Sequence, residues 1–345
     1  MSFTYVREIP SAEGIIAELP LPENLKKIKA ARDEEIKNVI TKKDNRFLVI
    51  VGPCSADAED SVCEYISRLA KVQEKTKDKL IIIPRIYTNK PRTTGEGYKG
   101  MLHQPNPEAA PNILEGIKAI RKMHIRAMSE SHLPAADEML YPGNLVYMQD
   151  VLSYIAIGAR SVENQQHRLT ASGIEVPVGM KNPTSGTISI MMNSIKAAQS
   201  KHDFLFNGWE VSTSGNPYAH AILRGAVNKH DQSIPNYHYE DLIFLAEEYA
   251  KRSLKNPFCI VDANHANSNK KFDEQPRIVK EILHSRRHSS VIKDLVGGVM
   301  IESYLVEGNQ PVGCENHVYG KSITDACLGW EATEDLLYYM AENLE

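Results

Sequence analysis

No stretch of this 345-residue sequence stays apolar long enough to cross a bilayer. The opening MSFTYVREIPSAEG lacks the charged-then-apolar pattern of a secretory leader, so a cytoplasmic protein without a membrane partner is expected. A basic excess is missing too: 40 Lys and Arg stand against 44 Asp and Glu, for a net charge of -4 and a pI near 6.3. A nucleic-acid partner, whose binding surface shows as basic excess, is therefore not expected. Cysteine is scarce and unpatterned. Cys54, Cys63, Cys259, Cys314 and Cys327 form neither CxxC pairs nor an even framework, as in a reducing compartment where each thiol needs its own reason. No GxGxxG follows the first apolar run, which argues against an open doubly wound sheet. Low-complexity segments and close repeats are lacking as well.

Apolar residues, at 42%, are ample for a large core. Short runs that read as buried strands occur at Phe47 to Val51, Leu80 to Ile83, Ala135 to Asp137, Ile155 to Ala159, Val178 to Met180, Phe204 to Phe206, Phe258 to Val261 and Gly298 to Ile301. Between them lie helical spacings such as Val62, Ile66, Leu69, Val72 and Ile113, Ile117, Ile120, Met123. Eight alternations of strand and helix demand parallel pairing and predict an α/β fold, a (β/α)₈ TIM barrel over residues 46–345. Residues 1–45 form an amino-terminal extension: a proline-bearing extended arm through Leu21, suited to contact a second subunit or a regulator, then a helix from Pro22 to Lys43.

In such a barrel the chemistry sits at the carboxyl ends of the strands. One stretch dominates, IIIPRIYTNKPRTTGEGYKG from Ile81 to Gly100, in which a buried run delivers Arg85, Lys90, Arg92 and Lys99 into a polar loop. Like charges so close repel unless an anion lies between them, by roughly 4 kcal/mol per pair about 4 Å apart at an intermediate dielectric. A phosphate compound supplies that anion; a solvated basic loop is the plainer alternative. Other strand exits present Cys54, Glu138, Arg160, Lys181, Asn182, His265 and Glu302, with Asp325 beyond the last run and Arg224 in AILRGA. Cys54, His265, Glu302 and Asp325 sort into one sulfur, one nitrogen and two carboxylates, a donor set for a catalytic divalent metal such as Zn, Fe, Mn, Co or Cu. Each has another reading: Cys54 as a core thiol, His265 as a proton donor or satisfied loop residue, Glu302 and Asp325 as partners of nearby lysines. Arg85, Lys90, Arg92, Arg160, Lys181 and Arg224 make a cationic group large enough for two anionic groups, and the hydroxyls of Thr93 and Thr94 complete a phosphate cradle or an ordinary turn.

The motifs GPCS (52–55), KPRTT (90–94), GAR (158–160), HR (167–168), PVGMKN (177–182), HANS (265–268), ES with VEGNQ (302–310) and YGKSITDAC (319–327) resemble the type I 3-deoxy-D-arabino-heptulosonate-7-phosphate (DAHP) synthases, from about Arg46 to Trp330. The resemblance implies a transferase that condenses phosphoenolpyruvate with erythrose 4-phosphate at the entry to the shikimate pathway. It implies a single divalent metal on Cys54, His265, Glu302 and Asp325; phosphoenolpyruvate held by Arg85, Lys90, Glu138, Arg160, Lys181 and Arg224; and the erythrose phosphate held by Arg92 and Thr93. Lys90, His265 and Cys54 are the expected catalytic residues, and a homodimer or homotetramer is the expected assembly. It also brings Cys327 toward Cys54. A sibling acting on arabinose 5-phosphate is the near alternative, and the KPRTT segment argues against it. The passage FLFNGWEVSTS (204–214) reads as shorter than the hairpin of feedback-inhibited relatives, so weak or altered inhibition by aromatic amino acids is expected.

Overall fold

The computed structural model describes residues 2–92 and 94–344. Eight parallel strands form one sheet: β1 (Phe47–Gly52), β2 (Leu80–Pro84), β3 (Ala135–Glu138), β4 (Leu152–Ile157), β5 (Val178–Lys181), β6 (Ala219–Leu223), β7 (Cys259–Asp262) and β8 (Val296–Glu302). Neighbours run β2-β1-β8-β7-β6-β5-β4-β3. The seam between β2 and β3 is joined by a single parallel bridge, Arg85 to Ala136, where the Ile86 amide donates to the Ala136 carbonyl at 2.9 Å. That bridge closes a (β/α)₈ barrel.

Ten α-helices accompany the sheet among the described residues. The chain opens with α1 (Ala12–Glu18) and α2 (Glu23–Ile40), and the barrel helices are α3 (Glu59–Thr76), α4 (Ile113–Ser131), α5 (Gln165–Ala171), α6 (Ile188–Ala198), α7 (Tyr239–Arg252), α8 (Gln275–His288), α9 (Ser290–Leu295) and α10 (Trp330–Asn343). The strands are dense in Val, Ile and Leu because both faces are buried. Successive side chains alternate: Phe47, Val49 and Val51 join the layer beneath the helices, while Leu48 and Ile50 join a second core with Ile81, Ile83, Tyr154, Ile222, Phe258, Ile260 and Met300. Ile36, Val39 and Ile40 of α2 belong to that second core, so α2 packs on the barrel rather than standing apart from it. The arm is likewise not extended throughout, since Ser11 caps α1 by accepting from the Gly14 amide at 3.2 Å. Arg121 of α4 then pins the segment that follows α1, donating to the Leu19 carbonyl at 2.7 Å while gripping Asp150 at 2.6 and 2.7 Å.

One expected strand is wrong. Phe204–Phe206 is not the sixth barrel strand; it belongs to an antiparallel hairpin, His202–Phe206 with Trp209–Thr213, outside the barrel. Its residues alternate between half-buried and exposed, and its tip, Asn207-Gly208, holds positive φ at both positions, as a two-residue hairpin turn demands. The true sixth strand is AHAIL, Ala219–Leu223. Small residues and an imidazole hid it. His220 sits fully buried, Nδ1–H donating to the Tyr218 carbonyl and Nε2 accepting from the Tyr154 hydroxyl, each at 2.8 Å; burial pushes its pKa down to about 4, so it is neutral and behaves as a core residue. No helix among the described residues is long and apolar enough to cross a membrane.

Candidate active site

The carboxyl ends of the strands enclose a cleft of about 290 Å³. Arg85, Lys90, Arg92, Arg160, Lys181, Arg224 and Lys270 line it, against the carboxylates of Glu96, Glu138 and Asp325, with Cys54 and His265 at the wall. The candidate residues named from the sequence therefore border this cleft, with four exceptions: Glu302 lies just behind it, Lys99 and Asn182 are not part of its lining, and Thr93 lies outside the described residues. Thr94 borders it.

The acidic side is a donor cluster. One ligand atom each of Cys54, Glu302 and Asp325 lie within 4.8 Å of one another. His265 flanks this trio without completing it, its Nε2 3.7 Å from Glu302 Oε1. A single ammonium faces two of the three, Lys90 Nζ at 2.8 Å from Cys54 Sγ and 2.7 Å from Asp325 Oδ2. Burial alone would push Lys90 down, yet the Cys54 sulfur and the Asp325 carboxylate hold it above its ordinary value. Asp325, raised by burial but opposed by Lys90, ends well below the usual carboxylate range. The Cys54 thiol goes the other way, because burial and the neighbouring Glu302 charge disfavour the thiolate. A sulfur, two carboxylates and a flanking imidazole around one cation are a fitting donor set for a divalent ion, which makes a coordinated thiol deprotonate outright.

The candidate donor side chains are themselves held. Glu302 accepts from Arg85 Nη2 at 3.0 Å and Asn264 Nδ2 at 2.7 Å, while Gln275 brackets its backbone, accepting from the Glu302 amide and donating to its carbonyl. Arg85, expected to hold an anionic substrate, thus spends one arm on Glu302 and another on the Pro53 carbonyl, and its guanidinium lies 3.7 Å over the Tyr87 ring. Cys327 stays a free thiol; its Sγ accepts from the Cys54 amide at 3.4 Å.

Asp262, missed in the sequence, ties the acidic and basic halves together. Fully buried at the end of β7, it accepts from Lys181 Nζ at 2.8 Å, and His265 Nδ1 lies 2.9 Å away. Burial raises it, but the His265 ring and the Lys181 ammonium together hold it far below the usual range. An acid closing a wholly apolar run, in FCIVD, was the signal available. Arg224 has no such partner. It is buried, its Nη1 finds no hydrogen bond among the described residues, and burial with the nearby Arg160 charge weakens its hold on the proton although Asp262 opposes them. A buried guanidinium with an open arm is a site built for an anion.

Glu138 owes its place to a glycine. A β-carbon on Gly158 would lie 2.1 Å from Glu138 Oε1. Gly158→Ala is expected to fold normally, because the clash is with the tip of a flexible side chain, but to displace that carboxylate and lower kcat/KM about tenfold, the effect of one lost polar contact. Steady-state kinetics beside a melting curve checks this; unchanged kinetics would release Glu138 from any role.

The family model described as "DAHP synthetase I family" matches residues 24–338. The chain belongs to the DAHP synthetase I family. It is 37% identical to the Phe-sensitive phospho-2-dehydro-3-deoxyheptonate aldolase of Escherichia coli strain K12, over 99% of this chain and 95% of that one. It is also 37% identical to the Trp-sensitive phospho-2-dehydro-3-deoxyheptonate aldolase of Enterobacter agglomerans, over 95% and 93% of the two chains. Among solved structures, the phospho-2-dehydro-3-deoxyheptonate aldolase of Francisella tularensis SCHU S4 superposes with a TM-score of 0.93 at 32% identity, covering 99% of this chain and 98% of that chain. The match runs through the whole barrel and α2, so the DAHP synthetase motifs and the cleft they border belong to one shared architecture.

Proposed function

We propose that this cleft joins phosphoenolpyruvate to erythrose 4-phosphate, giving DAHP and inorganic phosphate, the first step of aromatic amino acid biosynthesis. The observation that carries the reading is the pairing, in one cleft, of a divalent-metal donor set with a surplus of cations, on a chain that matches this family over residues 24–338. Its relatives are phospho-2-dehydro-3-deoxyheptonate aldolases.

Phosphoenolpyruvate carries a carboxylate and a phosphate, and Lys181, Arg224 and Arg160 supply three cations on one side of the cleft to hold them. Arg92, whose Nε donates to the Tyr98 carbonyl at 2.8 Å, keeps its guanidinium at the outer loop for the second phosphate, where Thr94 also borders the cleft; Thr93, next in sequence, is proposed to share that role. A divalent ion on Cys54, Glu302, Asp325 and His265 supplies Lewis-acid polarisation of a carbonyl oxygen, Mn, Fe, Co, Zn and Cu all suiting the mixed donors. The Lys90 ammonium, kept protonated by its anionic neighbours, donates to the aldehyde oxygen as C3 of phosphoenolpyruvate attacks the aldehyde carbon. Water adds to the resulting cationic C2, and cleavage of the C2–O bond releases phosphate. Glu138, on the lining of the cleft, is the carboxylate placed to accept the proton that water loses. Fixed charges need no reorganisation as charge moves from enol to phosphate. The exposed Phe3, Tyr5 and Val6 of the arm fit burial against a second copy, in a homodimer or homotetramer.

The test follows phosphoenolpyruvate loss with erythrose 4-phosphate and, separately, arabinose 5-phosphate, before and after EDTA and Mn²⁺ readdition. Loss is expected only with the tetrose and only with metal. Consumption with the pentose alone, or full activity without metal, would overturn the reading.

A further inference from the structure

Most polar side chains along this cleft carry a full charge; Asn89 is a neutral amide. It borders the cleft next to Lys90 and is 8% exposed, and its amide oxygen is buried without a partner among the described residues. A chain of hydrogen bonds fixes which way the amide faces. The Asp137 carboxylate, 5% exposed, accepts the Glu138 amide at 2.7 Å and the Thr88 amide at 2.9 Å through Oδ1, and the Thr88 hydroxyl at 2.5 Å through Oδ2. A hydroxyl that has given its only proton to a carboxylate is left as an acceptor. Thr88 Oγ1 accordingly takes the Asn89 amide nitrogen at 3.3 Å, which leaves the oxygen as the free end. The backbone cannot swing to change this, because the Leu102 amide donates to the Thr88 carbonyl at 3.2 Å and the Lys90 amide to the Lys99 carbonyl at 3.0 Å. The relay spans the seam between β2 and β3, where one backbone bridge holds the sheet together.

We propose that Asn89 is a specificity residue whose amide oxygen accepts a hydrogen bond from a hydroxyl of the sugar phosphate, with Thr88 and Asp137 as the positioning residues that aim it. The inference rests on the reading of this cleft as the site for a phosphorylated aldose and an enol phosphate. Of the two substrates, only the aldose has hydroxyls to donate. Phosphoenolpyruvate, fully ionised, presents acceptors alone, and an amide oxygen would repel it. A buried acceptor that a substrate hydroxyl satisfies also rejects analogues lacking that hydroxyl, because its partner is then missing.

The experiment measures kcat and KM for the metal-loaded parental enzyme, Asn89→Leu, Thr88→Val and Thr88→Ser, with erythrose 4-phosphate and its 2-deoxy and 3-deoxy analogues at saturating phosphoenolpyruvate. The parental enzyme is expected to disfavour one deoxy analogue by about tenfold or more in kcat/KM. Asn89→Leu loses that preference and raises KM for erythrose 4-phosphate about tenfold, with KM for phosphoenolpyruvate unchanged within about twofold. Thr88→Val, which keeps volume and removes only the hydroxyl, shows the same loss of discrimination to a smaller extent, and Thr88→Ser restores it. Should Asn89→Leu not fold, Thr88→Val decides alone. Discrimination retained in both variants, or equal shifts in the two KM values, overturns the proposal. If the parental enzyme fails to consume phosphoenolpyruvate with erythrose 4-phosphate, the functional reading itself falls; if it does and the variants discriminate as before, only the role of Asn89 falls.

Discussion

Cys54→Ala, stripped with EDTA and reloaded with Mn²⁺, is expected to turn over at about a thousandth of the parental rate or less. The sulfur is one of three donor atoms lying within 4.8 Å of one another. Losing several kcal/mol of charge stabilisation at about 1.4 kcal/mol per decade amounts to three or more powers of ten. The fold should survive, because the change removes one buried atom just beyond β1 and costs about 1 kcal/mol in packing. Equilibrium dialysis gives a second readout: the variant binds Mn²⁺ at least tenfold more weakly, a ligand mattering no less than the outer groups that orient it. Parental rate with metal bound one to one would remove Cys54 from the metal site.

Arg224→Met is expected to move stability and activity in opposite directions. The guanidinium is buried with one arm unbonded, a position where charge is costly and an anion is needed to repay it. An unbranched apolar side chain of similar length relieves that cost, so the variant without substrate should be more stable by about 1 kcal/mol in urea denaturation. Its kcat/KM should nevertheless fall by about 10² to 10⁴, the worth of one or two charge-assisted hydrogen bonds to phosphoenolpyruvate. Phosphoenolpyruvate raises the melting temperature of the parental protein by mass action and leaves that of the variant almost unmoved. A variant that is less stable and still stabilised by phosphoenolpyruvate would show that Arg224 serves the fold and not the substrate.

Seven of the eight barrel strands were legible because apolar and small residues cluster in each between polar loops, and burial on both faces writes that clustering into the sequence. The sixth was not. In AHAIL a satisfied, neutral histidine interrupts the pattern, while the phenylalanines of the neighbouring hairpin imitate it. Tertiary contacts override local pattern at both places.

The candidate residues divide in a similar way. Residue type and position after an apolar run marked Cys54, Arg85, Lys90, Glu138, Arg160, Lys181, His265 and Glu302, since the barrel puts every strand end on one rim. Which of them touch was beyond such a reading. Cys54 and Asp325 are 271 positions apart and lie 3.5 Å from each other, sulfur to oxygen. Arg85 is committed to Glu302 and Lys181 to Asp262, while the Arg224 Nη1 finds no partner among the described residues. Composition and strand rhythm were sufficient to determine a barrel with a charged mouth, because they record burial residue by residue. Only the closed sheet decided which opposite charges neutralise one another and which remain free for a ligand, because that depends on distances of a few ångströms between chain segments that no local pattern encodes.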